Sequence, residues 1–81
     1  MKVCVKLFAV AKQLAGSDAI DVELGPEATV GDLRVSLAMS CPSLAGIVPH
    51  FRFAINNEYV SDTAQIQRDA EIACIPPVSG G

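Results

Sequence analysis

The segment EIACIPP, residues 71–77, decides the fold. The four residues IACI that follow Glu71 carry no polar side chain, and such a run is typical of a strand with neighbours on both sides. Pro76 and Pro77 have no backbone N–H to donate, so we expect regular strand pairing to stop before them. The segment therefore predicts a central strand, residues 71–75, that leads directly into an extended stretch of chain.

Upstream of this segment, alternating side chains predict four further strands. In residues 2–9 successive side chains alternate, which places one set on a buried face and the other on an open face. Residues 18–24 and 51–55 alternate in the same way. The Asn-Asn pair at 56–57 tolerates the positive φ of a tight turn into a short return strand, residues 58–60. In the first strand the buried set is Val3, Val5 and Leu7, and the open set is Lys2, Cys4, Lys6 and Phe8.

One main helix is predicted over residues 30–41. Thr29 has the chemistry of an N-cap, and Asp32 lies three residues later, in the second position of a capping box. Pro42 ends the helix because the residue before a proline is disfavoured in a helical conformation. The apolar stripe, at spacings of three and four, is Val30, Leu33, Leu37 and Cys41.

The order of elements indicates the architecture. A shorter helical piece, residues 10–14, should end at Gly16, and residues 43–50 are predicted as a loop. A single main helix covers only one face of a mixed sheet of about five strands, so the other face stays open. This arrangement is the β-grasp, or ubiquitin-like, roll of the α+β class.

The predicted domain spans residues 1–75. Within it, residues 61–68 are irregular, and Ile66 is expected to reach the core. Residues 76–81 are expected to form an extended, flexible C-terminal tail that ends in Gly-Gly.

Length and charge exclude several functions. With 81 residues and 8.5 kDa, the chain has room for one domain and not for a deep cleft between lobes. Six basic residues against nine acidic residues give a net charge of -3, whereas nucleic-acid-binding surfaces carry a basic stripe. No apolar run reaches the ~18 residues of a membrane span. Lys6 interrupts the first apolar stretch, so we expect no secretory signal.

The three cysteines predict neither a disulfide framework nor a metal site. Cys4, Cys41 and Cys74 are odd in number and widely spaced, with no CxxC pair, and His50 is the only histidine. We therefore expect mostly buried thiols in a reducing cytoplasm, which is the predicted location. A functional thiol is the alternative, and Cys4 is its best candidate. We do not expect His50 to act as a general base, because no paired nucleophile is visible.

The last six residues, PPVSGG, predict chemistry on the backbone itself. Pro76 and Pro77 favour an extended conformation that projects the chain away from the domain. Gly80 and Gly81 have no Cβ, so they can pass through a channel too narrow for other residues. ATP can convert a free Gly81 carboxylate into an acyl-adenylate, and sulfide or a persulfide can then displace AMP to leave a nucleophilic thiocarboxylate. The alternative is a frayed terminus without a role.

Three segments carry a resemblance to a known family. They are VCVKLFA at residues 3–9, AINN at residues 54–57 with Val60, and above all PPVSGG at residues 76–81. Together they resemble the small subunits of molybdopterin synthase, a family of ubiquitin-like sulfur carriers, over the whole chain. The resemblance implies that Gly81 carries first an adenylate and then a thiocarboxylate. The residues that it implies would thread into a large subunit are Gly80, Ser79, Val78 and Pro77.

The resemblance also implies a reaction and a set of partners. The thiocarboxylate would donate sulfur to cyclic pyranopterin monophosphate, and two successive carriers would complete the molybdopterin dithiolene of molybdenum cofactor biosynthesis. Two small and two large subunits would form a heterotetramer of this sulfurtransferase. An adenylyltransferase would consume ATP to activate Gly81, and a cysteine desulfurase or rhodanese-like protein would supply sulfur. The chain itself would have no complete active site, no metal and no permanently bound cofactor, and would bind neither nucleic acid nor membrane.

The open face of the sheet predicts a docking surface. Strand parity places Phe8 and Ile75 opposite the helix-covered core, and Tyr59 is expected to join them across the sheet. Large apolar groups on an uncovered face form a partner interface, unless loops cover them. The basic residues Lys6, Arg52 and Arg68 are predicted as solvated charges.

Three other functions fit the same sequence. A sulfur carrier of the thiamine or cysteine pathway also ends in Gly-Gly, although PPVSGG favours the molybdopterin family. A ubiquitin-like modifier would use the same open face and tail, but it would form isopeptide bonds to lysines. A plain interaction module with an inert tail would show no change of mass when ATP, activator and sulfur donor are supplied.

Overall fold

A computed structural model of the chain describes residues 1–77. In chain order its elements are β1 (Lys2–Leu7), α1 (Ala9–Ala15), β2 (Ala19–Glu23), α2 (Val30–Ser40), two single-turn 3-10 helices (Pro42–Leu44 and Val48–His50), β3 (Arg52–Ile55), β4 (Glu58–Val60) and β5 (Ile72–Ile75). None of the helices within these residues has the length and apolarity needed to cross a lipid bilayer.

The strands form one mixed sheet in the order β2-β1-β5-β3-β4. β5 pairs in parallel with β1 and antiparallel with β3, so it has neighbours on both edges. The outer pairs, β1 with β2 and β3 with β4, are antiparallel. Asn56 and Asn57 form the turn between β3 and β4 with positive φ angles of 51° and 70°. The predictions of a central last strand and of a β-grasp sheet are confirmed.

Helix α2 covers one face of the sheet and begins at its predicted cap. The Thr29 side chain accepts a hydrogen bond from the Asp32 N–H, and the Asp32 carboxylate accepts one from the Thr29 N–H at 2.9 Å. The helix ends at Ser40, slightly before the predicted end, because Cys41 takes the C-cap position and Pro42 follows. Its core-facing residues, all 0% exposed, are Val30, Leu33 and Leu37.

The first strand is shorter than predicted because a helix begins earlier. β1 ends at Leu7, Phe8 takes the N-cap position in an extended conformation, and α1 follows at once. The predicted stop at Gly16 is confirmed. Its φ of 74° is left-handed, which glycine adopts without strain, and its N–H donates to the Lys12 carbonyl at 2.9 Å. Phe8 therefore lies where the sheet meets α1.

The stretch predicted as a loop, residues 43–50, contributes to the core. Leu44 and Val48 lie in the 3-10 turns of this stretch and are 0% and 2% exposed. Proline and glycine signal a change of chain direction, but they do not reveal whether the residues between them are buried. Ile66 is buried, as predicted. The core thus receives side chains from the connections as well as from the sheet and helix α2.

The expectation of mostly buried thiols is wrong for Cys4. Cys74 is buried and Cys41 is half-buried, whereas Cys4 is exposed on the face of β1 that points away from the core. Burial raises the pKa of the Cys74 thiol to about 12, with the positive charge of Arg34 as a smaller opposing effect. The Cys74 thiol therefore stays protonated and unreactive at neutral pH.

Arg34, which the sequence did not single out, ties α2 to neighbouring segments. Its Nη1 donates to the carbonyl oxygens of Val48 and Phe51 at 2.7 and 2.9 Å. Its Nε and Nη2 donate to the two Asp62 carboxylate oxygens at 3.1 and 2.7 Å, and this bonding holds the pKa of Asp62 below its usual value. The guanidinium also lies 5.0 Å from the centroid of the Phe53 ring. These contacts brace the helix-covered side of the sheet.

Candidate functional site

The face of the sheet opposite α2, called the open face below, has small side chains at its centre. Paired residues of neighbouring strands point to the same side, so the strand register identifies one row of side chains across four strands. That row is Lys6, Ala73, Ala54 and Tyr59. Because its two central members are alanines, the row forms a shallow floor between larger side chains at its two ends.

At one end of the open face, an apolar groove lies beside the end of β5. It is lined by Phe8, Ala9, Val10, Gln13, Ile75, Pro76 and Pro77. Phe8 is 46% exposed and Ile75 is half-buried. Two of the three residues predicted for a partner interface therefore meet in one groove, on the side away from the core.

Tyr59 lies outside this groove. Arg52 is a neighbour of both Tyr59 and Ile75. Tyr59 is 58% exposed, and the Arg52 guanidinium lies over its ring, with Cζ 4.3 Å from the ring centroid. Arg52 is also the direct register partner of Ile75. The prediction of Arg52 as a solvated charge is therefore incomplete, because the exposed guanidinium is held against an aromatic ring. All three predicted interface residues lie along the open face.

The other two basic residues predicted as solvated charges, Lys6 and Arg68, are exposed. Lys6 lies on the open face with its Nζ 3.5 Å from Glu71 Oε1, and both side chains are largely exposed. Arg68 is exposed and lines a separate shallow pocket with Met1. His50 is exposed in the 3-10 turn before β3. Within residues 1–77, no group of three or more His, Cys, Asp or Glu side chains is arranged to hold a metal ion.

The residues predicted to carry the chemistry lie beyond the end of β5. Pro76 is buried and Pro77 is exposed. Val78, Ser79, Gly80 and Gly81 lie outside the described residues, so their predicted roles stay predictions, as does the division of the chain after residue 75. The structure does place the start of this segment, which leaves the sheet beside the apolar groove.

Two features of the open face were missed at the level of sequence. They are the alanine floor and the stacking of Arg52 on Tyr59. The signal for the second is the Asn-Asn turn at 56–57, because the hairpin register that it sets places Tyr59 opposite Ala54. Tyr59 is then diagonal to Arg52, within reach of a long side chain.

The sequence matches a known family over nearly its full length. The model of the family described as "ThiS family" matches residues 5–81.

The chain belongs to the ThiS family.

This ThiS-family match includes the central strand and the last two residues, Gly80 and Gly81. Two curated proteins similar to the chain carry different functional names. The molybdopterin synthase sulfur carrier subunit of Chlamydomonas reinhardtii is 35% identical in an alignment 83 positions long that covers 100% of both proteins. The small archaeal modifier protein 1 of Haloferax volcanii is 33% identical in an alignment 84 positions long that covers 94% of this chain and 97% of that protein.

Solved structures share the fold of this ThiS-family chain. The crystal structure of SAMP1 from Haloferax volcanii has a TM-score of 0.86 and 30% identity, and the match covers 100% of both chains. A protein–protein complex of subunits 1 and 2 of the molybdopterin-converting factor from Helicobacter pylori contains a chain with a TM-score of 0.68. That chain is 18% identical, and the match covers 100% of both chains, so the likeness is one of fold.

Proposed function

We propose that this chain is the sulfur carrier subunit of molybdopterin synthase. The family match supports this function, and so does the Chlamydomonas relative of that name, which aligns over the full length of both proteins. In this role the chain is the sulfur-donating subunit of a sulfurtransferase and contributes no complete active site of its own. Its reactive group is the carboxyl of Gly81.

The proposed chemistry takes place on that carboxyl. An activating enzyme uses ATP to form an acyl-adenylate at Gly81, because a bare carboxylate has no good leaving group. A sulfur nucleophile then displaces AMP and leaves a thiocarboxylate, whose anionic sulfur attacks cyclic pyranopterin monophosphate. Each carrier delivers one sulfur, so two carriers serve one dithiolene. ATP is consumed by the activating enzyme, and this chain holds no cofactor between turnovers.

The observation that carries the proposal is the position at which β5 ends. β5 is the central strand, and the groove that contains Phe8 and Ile75 also contains the first tail residues, Pro76 and Pro77. A partner that covers this groove is therefore in contact with the base of the tail. A stretch of six residues, the number from 76 to 81, spans at most about 20 Å, and this length sets how far into its partner a docked carrier can place Gly81.

We propose the molybdopterin synthase large subunit as the partner on the open face. Phe8, Tyr59 and Ile75 supply its apolar contacts, while Pro77, Val78, Ser79 and Gly80 thread into a narrow channel. The Helicobacter complex of subunits 1 and 2 supports a partner of this kind, since one of its chains shares this fold. Two carriers at the ends of a large-subunit dimer complete a heterotetramer.

A second candidate function is protein modification. The Haloferax relative is named a modifier protein, and it is about as similar to this chain as the Chlamydomonas sulfur carrier is. A modifier joins its C-terminal carboxyl to lysines, so conjugates of higher mass form in its native cells. A carrier for thiamine or cysteine synthesis shares the thiocarboxylate and differs in the acceptor of the sulfur.

The test is sulfur transfer by chains with altered tails. Supplied with activating enzyme, ATP, sulfide, large subunit and precursor, the full chain should form molybdopterin and a chain without Gly81 should form none. Gly80→Ala should be impaired, because its Cβ must enter a channel fitted to glycine. Gly25→Ala is the matched control, since an added Cβ there meets no atom within 4 Å and transfer should be unchanged. Full transfer by the chain without Gly81 contradicts the proposal.

A further inference from the structure

We infer that Arg52 is a recognition residue for a carboxylate on the protein that docks against the open face. Tyr59 holds the Arg52 guanidinium in place before docking, and an Asp or Glu side chain of the partner then pairs with it. The inference rests on the proposed function, because it takes the large subunit as that partner. It adds a polar requirement to a docking surface otherwise described by its apolar residues.

The first argument is the geometry of the stack. Arg52 begins β3 and Tyr59 is the middle residue of β4, and their side chains lie diagonally on the same face. Cζ of Arg52 is 4.3 Å from the centroid of the Tyr59 ring, within the range of a cation–π interaction. Stacking restricts an otherwise mobile side chain, so less conformational entropy is lost when a partner binds. The face of the guanidinium is occupied, whereas its N–H donors point along its edges and remain suited to a bidentate acceptor.

The second argument compares Arg52 with Lys6 on the same face and with Arg34 on the covered side. Lys6 is paired with Glu71 on the open face, and Arg34 is paired with Asp62 on the covered side. Among residues 1–77, no carboxylate lies within ion-pair distance of Arg52. Arg52 is thus a positive charge without a counter-charge among these residues, although the chain as a whole carries a net charge of -3.

The third argument is the position of Arg52 relative to the groove. It is the register partner of Ile75, so a partner surface that covers Ile75 also covers Arg52. Burying a guanidinium without an acceptor is unfavourable, so a partner that binds here must supply one. A carboxylate matches the planar fork of arginine and neutralises its charge, which makes an acidic side chain the fitting acceptor. The apolar groove provides affinity, and the acid beside it selects the correct partner.

The test measures affinity for the purified large subunit by titration calorimetry at low and high salt. Arg52→Met should weaken binding about tenfold or more, because the partner's carboxylate is left buried without a counter-charge. Arg52→Lys should recover part of the loss, since it keeps the charge but not the fork. Tyr59→Leu should cost less than Arg52→Met, because it removes the ring that positions Arg52 and keeps an apolar contact. The salt dependence of the affinity should shrink in Arg52→Met.

Lys6→Met is the matched control, because it removes a positive charge from the same face that already has its own carboxylate partner. Its affinity should stay within about twofold of the parent. Unchanged binding by Arg52→Met, with binding lost in Ile75→Lys, overturns this inference and leaves the proposed function standing. Unchanged binding by both Arg52→Met and Ile75→Lys would show that the open face is not the docking surface. That result would overturn this inference and the part of the proposed function that uses the open face. Thermal melts confirm that each variant is folded, as expected for an exposed position.

Discussion

The two faces of the sheet use the same strands for different purposes. On the covered face, side chains from β1, β5 and α2 interlock and are almost completely buried, as in Val5, Leu33 and Ile72. On the open face, Phe8 and Tyr59 remain about half exposed around a floor of alanines. β5 belongs to both faces, because its residues alternate between them. From this comparison we expect single substitutions within β5 to separate stability from the proposed partner binding.

The largest effect is expected from a charge on the covered face. Ile72→Lys places an ammonium group at a position with 0% exposure, in a core where no polar or charged residue is buried among the described residues. The cost of several kcal/mol is comparable to the ~5–10 kcal/mol that holds a small domain together. We expect no cooperative thermal unfolding and loss of the folded far-UV circular dichroism spectrum. A cooperative melt near that of the parent would contradict the assignment of this face.

The same substitution three residues later should spare the fold. Ile75→Lys lies on the open face, so the free domain should melt cooperatively while affinity for the large subunit falls about 100-fold or more. Phe8→Lys should act in the same direction but less strongly, and Lys6→Glu less still, because Lys6 is already solvated. Titration calorimetry with melts of the free variants separates folding from binding. An unfolded Ile75→Lys would invert the face assignment, and normal binding would place the docking surface elsewhere.

A substitution at Arg34 tests the contacts on the covered side of the sheet and leaves the proposed docking surface unchanged. Arg34→Met keeps much of the apolar stem and removes the hydrogen bonds to Val48, Phe51 and Asp62. We expect a loss of about 2–3 kcal/mol in the free energy of unfolding, since the carbonyl oxygens lose a charged donor. Urea unfolding measures the loss, and affinity for the large subunit should not change. A variant as stable as the parent would show that these contacts contribute nothing.

Replacing a cysteine by serine on each face of the sheet compares the two faces with the same chemical change. Cys74→Ser puts a hydroxyl in the core and should lose about 1–3 kcal/mol of stability if that hydroxyl finds no partner. Cys4→Ser, on the open face, should stay within about 0.5 kcal/mol of the parent. Both folded variants, and Cys41→Ser, should retain sulfur transfer, because the proposed chemistry needs no side-chain thiol. Loss of transfer by folded Cys4→Ser would indicate a persulfide relay.

A small effect is also expected from the pH dependence at Asp62. Its pKa is lowered in the folded chain, chiefly by the hydrogen bond from Arg34, so its contribution is fully present above the unfolded pKa of about 3.9. The contribution is lost as the pH falls through the lower, folded pKa. Because the carboxylate is about half exposed, we expect less than about 1 kcal/mol. Asp62→Asn should lower stability at pH 7 and should narrow its gap to the parent in acid, as measured by urea unfolding.

Much of the fold was predictable because the decisive signals are local. The alternation in β1, the unbroken apolar run of β5 and the capping box of Thr29 and Asp32 each specify their own element. Leu44 and Val48 were missed because their burial depends on how the 3-10 turns pack against the helices, which no local pattern encodes. β1 was predicted too long because Phe8 continues the alternation even though the chain turns into α1 there.

The candidate site was predictable only in part. Strand parity places Phe8 and Ile75 opposite the core, because the apolar side of each strand shows which of its faces is buried. Tyr59 was expected to join them across the sheet, and the register of β3 with β4 places it on the same face. The stack of Arg52 on Tyr59 was not predicted, because it depends on the register of the β3–β4 hairpin. The role of Gly81 rests on sequence and family, since it lies outside the described residues.

The most direct test of the proposed carrier function is the intact mass of the chain after incubation with its activating enzyme, ATP and sulfide. Omission of ATP is the control. The carrier function predicts an ATP-dependent species that is heavier by the difference between a sulfur and an oxygen atom, with the change located at Gly81. A mass that stays unchanged with all components present would contradict the function, and so would a product in which Gly81 is joined to a lysine.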